Sequence, residues 1–446
     1  MTLLGIDIGS SSVKCALLKN GKVAGKIVHA KYPTHIDGPR VEVEPAVMLK
    51  AIAEASREVG AGAKRADAIA LSVFSPGWVA MDSGGKPTTP IVSHQDRRSV
   101  EVARELEARV GLEKYLSIAG TRPFPGGISS TTWAWYLKHE PQRLRKADLV
   151  GHLNTFLHRQ LTGSRVVDSA NASFMGIFAT NDFSGWSDEL CDAVGAKKSL
   201  LPEVRDANEI GGKLTRHAAA ELGLAEGVPM TVGVVDGSAG MLMTGARVGQ
   251  LLNVCGSTDV LALCTDRFSP HPQLLTRALG IGRKWLSVST IAAAGSAINW
   301  AKEQFFPDYD WKRFQKLVVG LAGRGAEAAR SKRKATGHEH SAAVVFEPYL
   351  AGDRMSIEQK QAAFSKLTLA TTREQMLEAM LESLARASAA RVSLLQQTGA
   401  KIRRDVVLTG GAGKLTAVFH RDWPGKWTFK QEEEATLRGL SALEPV

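Results

Sequence analysis

No stretch of this sequence is apolar over the length that a helix needs to cross a bilayer, which argues against a membrane-spanning helix. The N-terminus shows neither a basic segment nor a small-residue cleavage site, so we expect no export signal and a cytoplasmic protein. Cysteine is scarce, with four among 446 residues and none at metal-ligand spacing. Three of them, Cys15, Cys255 and Cys264, lie in apolar strand patterns. We therefore predict that these and Cys191 are reduced core residues, with a redox or metal role as the alternative.

The composition is neither strongly acidic nor typical of a disordered protein. Hydrophobic residues make up 44% and charged residues 23% of the chain, as in globular proteins, and 446 residues favour two domains. The formal net charge is +11, but lysine and arginine are mostly dispersed among acidic residues. The densest basic run, Arg330 to Lys334, is predicted to be a solvated loop. A nucleic-acid patch, or a positive field that attracts a phosphorylated small molecule, is the alternative.

Strand and helix patterns alternate in the first half of the chain. The opening reads as an antiparallel meander, with the hairpin dipeptide Asn20-Gly21 before its third strand. Its strands are predicted at Leu3 to Ile8, Val13 to Leu18 and Lys22 to Lys31. A strand at Ala68 to Val73 follows, with helices at Ala46 to Val59, Ser99 to Val110 and Thr131 to Lys138. This alternation predicts an α/β protein.

The opening design recurs far downstream. The stretch Leu251 to Cys264 again has an apolar strand, a Gly-Ser-Thr turn and a second apolar strand. When Gly9 is aligned with Gly256, Val254 stands at the position of Asp7, so the two copies share a shape but not that acid. A repeat at half-chain spacing predicts two similar domains, residues 1–247 and 248–446.

A long helix and a third glycine-rich turn complete the pattern. We predict a helix from Arg373 to Gln397, with Thr371 and Glu374 as a capping box and Gly399 at its C-terminal cap. A strand follows directly and ends in the turn Gly410-Gly411-Ala412.

Three turns of glycine and small residues thus follow strands, at Gly9, Gly256 and Gly410. Glycine lets a backbone approach a ligand closely, and N–H groups beside small hydroxyl residues bind anionic oxygens. A purely conformational role is the alternative for any single turn. The sequence has no P-loop and no dinucleotide-binding fingerprint, yet three such turns in order predict phosphate and nucleotide binding.

Two aspartates stand at strand ends beside small residues. Asp7 precedes the serine-rich turn, where a carboxylate would repel phosphate unless a cation lies between them, so Asp7 is predicted to anchor Mg²⁺ through its bound water. Capping of backbone N–H groups is the alternative for Asp7. Asp236 ends an apolar strand before a helix of small residues. It is predicted to be either the N-cap of that helix or the general base for a substrate hydroxyl.

Together these motifs resemble the FGGY carbohydrate kinases, a family that includes xylulokinase, ribulokinase, gluconate kinase and glycerol kinase. The resemblance covers nearly the whole chain, and each segment alone is a weak signal, but six in order are specific. The six are "GIDIGSSSVKCALL" from Gly5, "IVSHQDRRS" from Ile91, "LTGSRVVDSANAS" from Leu161, "VVDGSAG" from Val234, "VVFEPYLAGDRM" from Val344 and "VLTGGAGK" from Val407.

The resemblance implies two ribonuclease-H-like domains, as in actin-like ATPases, around an interdomain cleft. It implies that the N-terminal half binds the sugar and the C-terminal half ATP, with Asp236 as general base and Asp7 at Mg²⁺. The remaining nucleotide and phosphate contacts that it implies are Gly9, Ser10, Ser11, Ser12, Lys14, Gly256, Ser257, Thr258, Gly295, Gly410, Gly411 and Ala412.

The chain departs from the family pattern around the sugar. Ser75-Pro76 stands where xylulokinases typically show Met-His and glycerol kinases Arg-Glu, which argues against glycerol as substrate. His94 stands where the family commonly has a substrate-facing tryptophan, and Gly237 where it often has Asn or Gln. The predicted substrate contacts are therefore Ser75, His94 and Asp236, with Trp78 as a replacement stacking surface.

The sequence thus predicts an ATP- and Mg²⁺-dependent kinase of a sugar or polyol, with a ketopentose such as xylulose or ribulose as the first candidate. Another polyol, such as glycerol or erythritol, or an actin-like ATPase or sensor without sugar phosphorylation, is the alternative. We expect a small-molecule partner, no nucleic acid and no membrane, with a homodimer as a possible assembly. The roles of Asp259, beside the second turn, and of Arg330 to Lys334 stay open.

Overall fold

The structure, a computed structural model, describes residues 1–60, 62–332, 344–411 and 416–445. The chain divides into two units. The first comprises Met1–Gln250, Cys264–Ser287 and Glu434–Val446, and the second comprises Leu251–Leu263 and Val288–Glu433. Two later segments of the chain therefore return to the first unit, beyond the first 247 residues.

The strands are β1 Thr2–Ile8, β2 Ser12–Lys19, β3 Lys22–Lys31, β4 His35–Asp37, β5 Arg40–Val43, β6 Ala68–Val73, β7 Gly77–Met81, β8 Ile91–Ser93, β9 Leu149–Gly151, β10 Val166–Asp168, β11 Glu203–Arg205, β12 Ile210–Lys213, β13 Pro229–Thr231, β14 Val234–Val235, β15 Leu251–Cys255, β16 Asp259–Thr265, β17 Leu275–Ala278, β18 Trp285–Ile291, β19 Val345–Glu347, β20 Ala363–Ser365, β21 Asp405–Thr409 and β22 Thr428–Gln431.

The helices are α1 Pro45–Val59, α2 Val100–Val110, α3 Leu112–Ala119, α4 Ser129–His139, α5 Leu153–Leu161, α6 Ser169–Met175, α7 Asp188–Val194, α8 Arg216–Leu222, α9 Asp236–Met243, α10 Gly295–Phe305, α11 Trp311–Lys332, α12 Arg373–Gln396, α13 Thr416–His420 and α14 Ala435–Gly439. Short 3₁₀ helices cover Ala63–Arg65, Pro141–Arg143, Lys198–Leu200 and Leu440–Leu443. Among these described helices, none combines the length and the apolar character required to span a membrane.

The first unit is built on a sheet of seven strands. Its order is β12-β13-β6-β1-β2-β3, and β14 also pairs with β6. The meander β1-β2-β3 is antiparallel, whereas β1, β13 and β14 run parallel to β6. Asn20 and Gly21 both have positive φ, 52° and 72°, in the two-residue turn between β2 and β3. The predicted meander is therefore confirmed, with its hairpin turn where the dipeptide placed it.

Apolar side chains of this sheet pack into the main core of the first unit. Leu4, Ile6 and Ile8 of β1 and Val13 and Cys15 of β2 are at most 2% exposed. A smaller sheet, β4-β5-β8-β7-β9, and a two-stranded sheet, β10-β11, complete the unit. All four cysteines are unpaired and buried, which confirms their predicted place in the core.

The second unit repeats the opening hairpin. Strand β15 pairs antiparallel with β16 and parallel with β21, and β21 pairs parallel with β22. Its core contains Cys255 together with apolar residues of α10, α11 and α12. The predicted α/β fold with two sheet-containing domains is confirmed.

Three local predictions need correction. The capping box of α12 uses Thr372 and Gln375, one residue later than Thr371 and Glu374, because Thr372 is the last extended residue before the helix. Residues 330–332 of the predicted basic loop belong to α11, and residues 333 and 334 lie outside the described residues. Strand β17 was not predicted, although it carries a residue of the candidate site described next.

Candidate active site

Asp7 lies near the end of β1, directly beside Ser72 of the parallel strand β6. The Ser72 hydroxyl donates a hydrogen bond of 2.8 Å to Oδ1 of Asp7. Both side chains are buried, with Asp7 only 9% exposed and Ser72 0%. Within the described residues, no backbone N–H donates to Asp7, so the capping alternative is not supported.

The pKa of Asp7 is raised to about 7, and burial is the largest cause. The negative charges of Asp236 and Glu434 add to the rise, while the Ser72 hydrogen bond and Lys14 act in the opposite direction. A nearby cation stabilises the ionised form of a buried carboxylate whose pKa is raised. No group of three or more His, Cys, Asp or Glu side chains in the described part of the chain could hold a metal ion. A magnesium ion at Asp7 would therefore take most of its ligands from water and phosphate, which is the coordination that Mg²⁺ favours.

Asp236 reaches the same edge of the sheet from the other side of β6. Val235 of β14 pairs with Val73, the residue that Ile8 of β1 faces from the opposite side. Because Asp236 follows Val235 and Asp7 precedes Ile8, the parallel register brings the two acids to the same ends of the two strands that flank β6. The sequence contains them 229 positions apart, and the sheet order explains their electrostatic interaction.

Asp236 is the first residue of α9, since Val235 is the N-cap. Its Oδ1 atom accepts a 2.6 Å hydrogen bond from the N–H of Gly237. Burial raises the pKa of Asp236, while that hydrogen bond and the positive charge of Arg277 oppose the rise. The N-cap alternative is therefore wrong, and the general-base hypothesis stays a prediction.

Ser75, just after β6, is linked to a buried network that the sequence did not predict. Its hydroxyl donates to Oδ1 of Asn171 at 2.8 Å, and Nδ2 of Asn171 donates to Asp168 at 2.6 Å. Asn154 also donates to Asp168, at 3.0 Å. The available signal was the segment "LTGSRVVDSANAS", which contains both Asp168 and Asn171. This network fixes the orientation of Ser75 near the end of β6.

Trp78 does not provide the predicted stacking surface. Its side chain is 0% exposed, and its ring lies 5.0 Å from that of Tyr136 and 6.4 Å from that of Trp133. The prediction is wrong because both faces of β7 are covered, so its outward-pointing residue is in a second core. His94 is partly buried and meets Phe74 edge to face, with ring centroids 5.8 Å apart.

The serine-rich turn of Gly9, Ser10, Ser11 and Ser12 is closed by a 2.9 Å hydrogen bond from the Gly9 N–H to the Ser12 carbonyl. Ser11 is exposed at its tip, while Gly9, Ser10 and Ser12 are partly buried. Lys14 of β2 forms a 2.6 Å ion pair with Glu434, a partner absent from the predicted phosphate contacts.

In the second unit, the predicted turns at Gly256 and Gly410 and the predicted contact Gly295 lie together. The Gly256 N–H donates to the Thr258 carbonyl at 2.8 Å, and the Gly295 N–H, at the start of α10, donates to the Gly256 carbonyl at 3.1 Å. A Cβ atom at Gly295 would lie 2.4 Å from that carbonyl oxygen, and one at Gly410 2.4 Å from the carbonyl oxygen of Cys255. Close backbone approach therefore requires glycine at 295 and 410. Ser257 and Gly411 are exposed beside them, and Ala412 lies outside the described residues.

Asp259, which the sequence left unexplained, is a structural residue of the second unit. Its carboxylate is 0% exposed and accepts hydrogen bonds from Arg391 and Asn253. Nη1 of Arg391 also donates to the Asp259 carbonyl, at 2.8 Å. His420 bonds to Oδ1 of Asn253 at 2.7 Å, so the network extends to α13.

Comparison with known proteins identifies the architecture. Residues 2–243 match the N-terminal domain of the FGGY family of carbohydrate kinases, and residues 251–420 match its C-terminal domain. The chain is 24% identical over 419 residues to a xylulose kinase of Streptomyces rubiginosus, covering 93% of this chain and 81% of that protein. It is 25% identical over 423 residues to a xylulose kinase of Escherichia coli K12, covering 92% and 82%.

A solved structure with the same fold is that of xylulose kinase from Rhodospirillum rubrum. Its TM-score is 0.84 at 21% identity, and the alignment covers 99% of this chain and 90% of that one. The predicted actin-like fold is thereby confirmed.

Proposed function

The chain belongs to the FGGY family of carbohydrate kinases, phosphotransferases with an alcohol group as acceptor, and from this premise we propose that it transfers the γ-phosphate of ATP to a hydroxyl of a ketopentose such as xylulose or ribulose. The observation that carries the proposal is the pair Asp7 and Asp236. Asp7 is buried and Asp236 is partly buried, and they lie at the ends of the two strands that flank β6. The negative charge of Asp236 contributes to the raised pKa of Asp7, and perturbed acids of this kind are more typical of a functional site than of a structural one.

In this proposal Asp236 is the general base. Its carboxylate accepts the proton of the acceptor hydroxyl as that oxygen attacks the γ-phosphorus. Asp7 would hold Mg²⁺ through water, and the bound ion would offset charge on the phosphates. The proposed nucleotide contacts of the first unit are the serine-rich turn and Lys14. Those of the second unit are Gly256, Ser257, Thr258, Gly295 and Gly410.

The proposed acceptor side lies in residues 1–247, and the main part of the proposed nucleotide side lies in residues 248–446. Ser75 and His94 are the proposed sugar contacts, and the Asn171 network supports Ser75 by holding its hydroxyl. A ketopentose is favoured because the relatives above are named xylulose kinases, and because Ser75-Pro76 replaces the Arg-Glu pattern of glycerol kinases.

The experiment is an acceptor screen with purified protein, ATP and Mg²⁺. Xylulose, ribulose, gluconate, glycerol and erythritol are tested for ADP release and for a gain of one phosphoryl group by mass spectrometry. We expect a ketopentose to stimulate ADP release and to become phosphorylated. Asp236→Asn should lower that rate by about 10²–10⁴-fold, the usual contribution of a general base. Asp182→Asn, at an exposed acid of the same unit, is the matched control.

Three outcomes would each contradict part of the proposal. ATP hydrolysis that ignores every acceptor would favour an ATPase, and full activity of Asp236→Asn would remove its role as base. Phosphorylation of glycerol or erythritol alone would overturn the ketopentose assignment.

A further inference from the structure

We propose that Arg277 is a positioning residue of the acceptor site, whose guanidinium fixes the start of α9 and offsets the negative charge of Asp236. This inference rests on the proposed role of Asp236 as general base. It concerns a residue outside all the motifs that indicated the kinase.

Arg277 is buried and held from several sides. It lies on β17 and is 3% exposed, although arginine is seldom found at such depth without a specific partner. Nη1 donates to the Ser238 hydroxyl and, at 3.1 Å, to the Ala278 carbonyl. The guanidinium carbon lies 5.4 Å from the ring centroid of Phe174 on α6. These contacts fix the direction in which the guanidinium points.

The guanidinium lies against the first turn of α9, where Asp236 begins the helix. A Cβ atom at Gly237 would lie 3.2 Å from Nη2 of Arg277, so the missing side chain leaves the space that the guanidinium occupies. The hydroxyl of Ser238, the next residue, accepts the hydrogen bond from Nη1 of Arg277. Arg277 therefore contacts both residues that follow Asp236 and restrains the backbone that carries the proposed base.

The surrounding charges identify which acid needs this cation. Asp168 already accepts hydrogen bonds from Asn154, from the Asn171 side chain and from the backbone N–H groups of Ala170 and Asn171. In the described part of the chain, the hydrogen bond found for Asp236 comes from Gly237. Asp236 is therefore the acid with fewer donors and the greater need for a positive charge.

Other charged groups around Asp236 do not replace Arg277. Asp7, on β1, is itself acidic. The ammonium group of Lys14 is paired with the carboxylate of Glu434, the N-cap residue of α14. The pKa of Arg277 is lowered to about 10, and burial is the cause of the decrease. The negative charge of Asp236 and, to a smaller extent, that of Asp168 oppose it. Arg277 thus stays positively charged at neutral pH and favours the ionised form of Asp236, which is the form a general base requires.

The test compares Arg277→Gln and Arg277→Lys with the control Arg283→Gln, which removes an exposed guanidinium six positions later. Phosphorylation of the acceptor found by the screen is measured from pH 5.5 to 9. Without Arg277, the acidic limb of kcat/KM should move up by about one pH unit or more, because an opposite charge nearby shifts a carboxyl by that amount. The loss should be about tenfold for each pH unit of that movement at pH values below the acidic limb, and it should be small at pH values well above the limb. Arg277→Lys should restore part of it, and Arg283→Gln should follow the wild type.

A second readout does not depend on turnover. In protein labelled with ¹³Cγ-aspartate, the Asp236 signal is assigned by its loss in Asp236→Asn. Its titration midpoint should rise in Arg277→Gln and stay in place in Arg283→Gln, even if the acceptor screen has failed. An unchanged midpoint and an unchanged acidic limb in Arg277→Gln would overturn the inference.

Should Arg277→Gln fail to fold, Gly237→Ala provides the same test with the arginine retained. The added methyl group displaces Nη2 and should move both readouts in the same direction by a smaller amount. No movement of either readout in folded Gly237→Ala would also contradict the inference.

Discussion

The hairpin β1–β2 in the first unit and the hairpin β15–β16 in the second share one design, yet they place a buried acid differently. Asp7 stands before the turn, where the second hairpin has Val254. Asp259 stands after the turn, opposite Cys255. The second turn is also one residue shorter, because Ile8 pairs with Val13 across four residues and Cys255 pairs with Asp259 across three.

The surroundings of the two acids differ more than their positions. Asp259 is enclosed by an arginine and an asparagine of its own unit, so its charge is matched within the fold. Asp7 receives one neutral hydroxyl and faces a second acid. The comparison teaches that a strand–turn–strand unit can carry an acid for stability or for a ligand, and that the partners of the acid decide which.

The largest expected effect tests the ligand role of Asp7. Asp7→Asn should lower phosphoryl transfer about a thousandfold, because several kcal/mol of charge stabilisation would be lost with the metal site. Steady-state kinetics with the identified acceptor measure this loss. Asp67→Asn, at an exposed acid of the same unit, should keep wild-type activity. Near-normal activity of Asp7→Asn would contradict the ligand role of Asp7, and Asp7 and Asp259 would then not differ in function.

The next effect concerns the stability role of Asp259. Arg391→Met leaves a buried carboxylate without its cation and should destabilise the fold by about 3–5 kcal/mol, seen as a lower urea midpoint. Asp308→Asn, which breaks the exposed ion pair with Arg373, is the matched control and should leave the midpoint close to that of the wild type. Equal midpoints for both variants would show that Asp259 needs no partner.

A smaller effect follows from the raised pKa of Asp7. Its pKa is 3.8 in the unfolded chain and about 7 in the fold, so the folded state favours the protonated acid. The stability linked to Asp7 is present below pH 4 and is lost as the pH rises to 7. Asp7→Asn should therefore match the wild type near pH 4 and exceed it at pH 8 by up to a few kcal/mol in ligand-free denaturation. A difference that does not change with pH would contradict this linkage.

The smallest effect isolates the hydroxyl beside Asp7. Ser72→Ala removes one hydrogen bond, which contributes about 0.5–1.5 kcal/mol, and should raise the pKa of Asp7 above its wild-type value. The loss of stability should then continue to a higher pH, because it ends at the pKa of Asp7 in the folded state. Ser56→Ala, at another buried serine of the first unit, controls for hydroxyl removal, and identical pH curves for the two variants would argue against the Ser72 role.

The sequence was most informative where the signal was local. The alternation of β1 and β2, the Asn20-Gly21 turn and the duplicated glycine turns predicted both hairpins within one residue of their ends. The capping box was displaced by one position because Thr371 and Thr372 both precede an acidic or amide residue at the required spacing. Local spacing alone does not choose between them.

Prediction failed where a residue's role depends on distant partners. Asp259 was unexplained because Arg391 lies 132 positions away. Arg277 was missed because β17 is a four-residue strand without a recognisable motif. Trp78 was misjudged because a sequence does not show that both faces of β7 are covered. The remaining predictions of the site concern ligands and await experiment.

The most direct test of the account is thermal melting at pH 8 of the wild type, Asp7→Asn and Asp259→Asn, each with ADP alone and with ADP plus Mg²⁺. Asp7→Asn should melt above the wild type without ligand and lose the Mg²⁺-dependent rise in melting temperature, whereas Asp259→Asn should melt lower and keep that rise. An Asp7→Asn protein that melts below the wild type, or that keeps the full Mg²⁺-dependent rise, would contradict the assignment of the first acid to the ligand and the second to the fold.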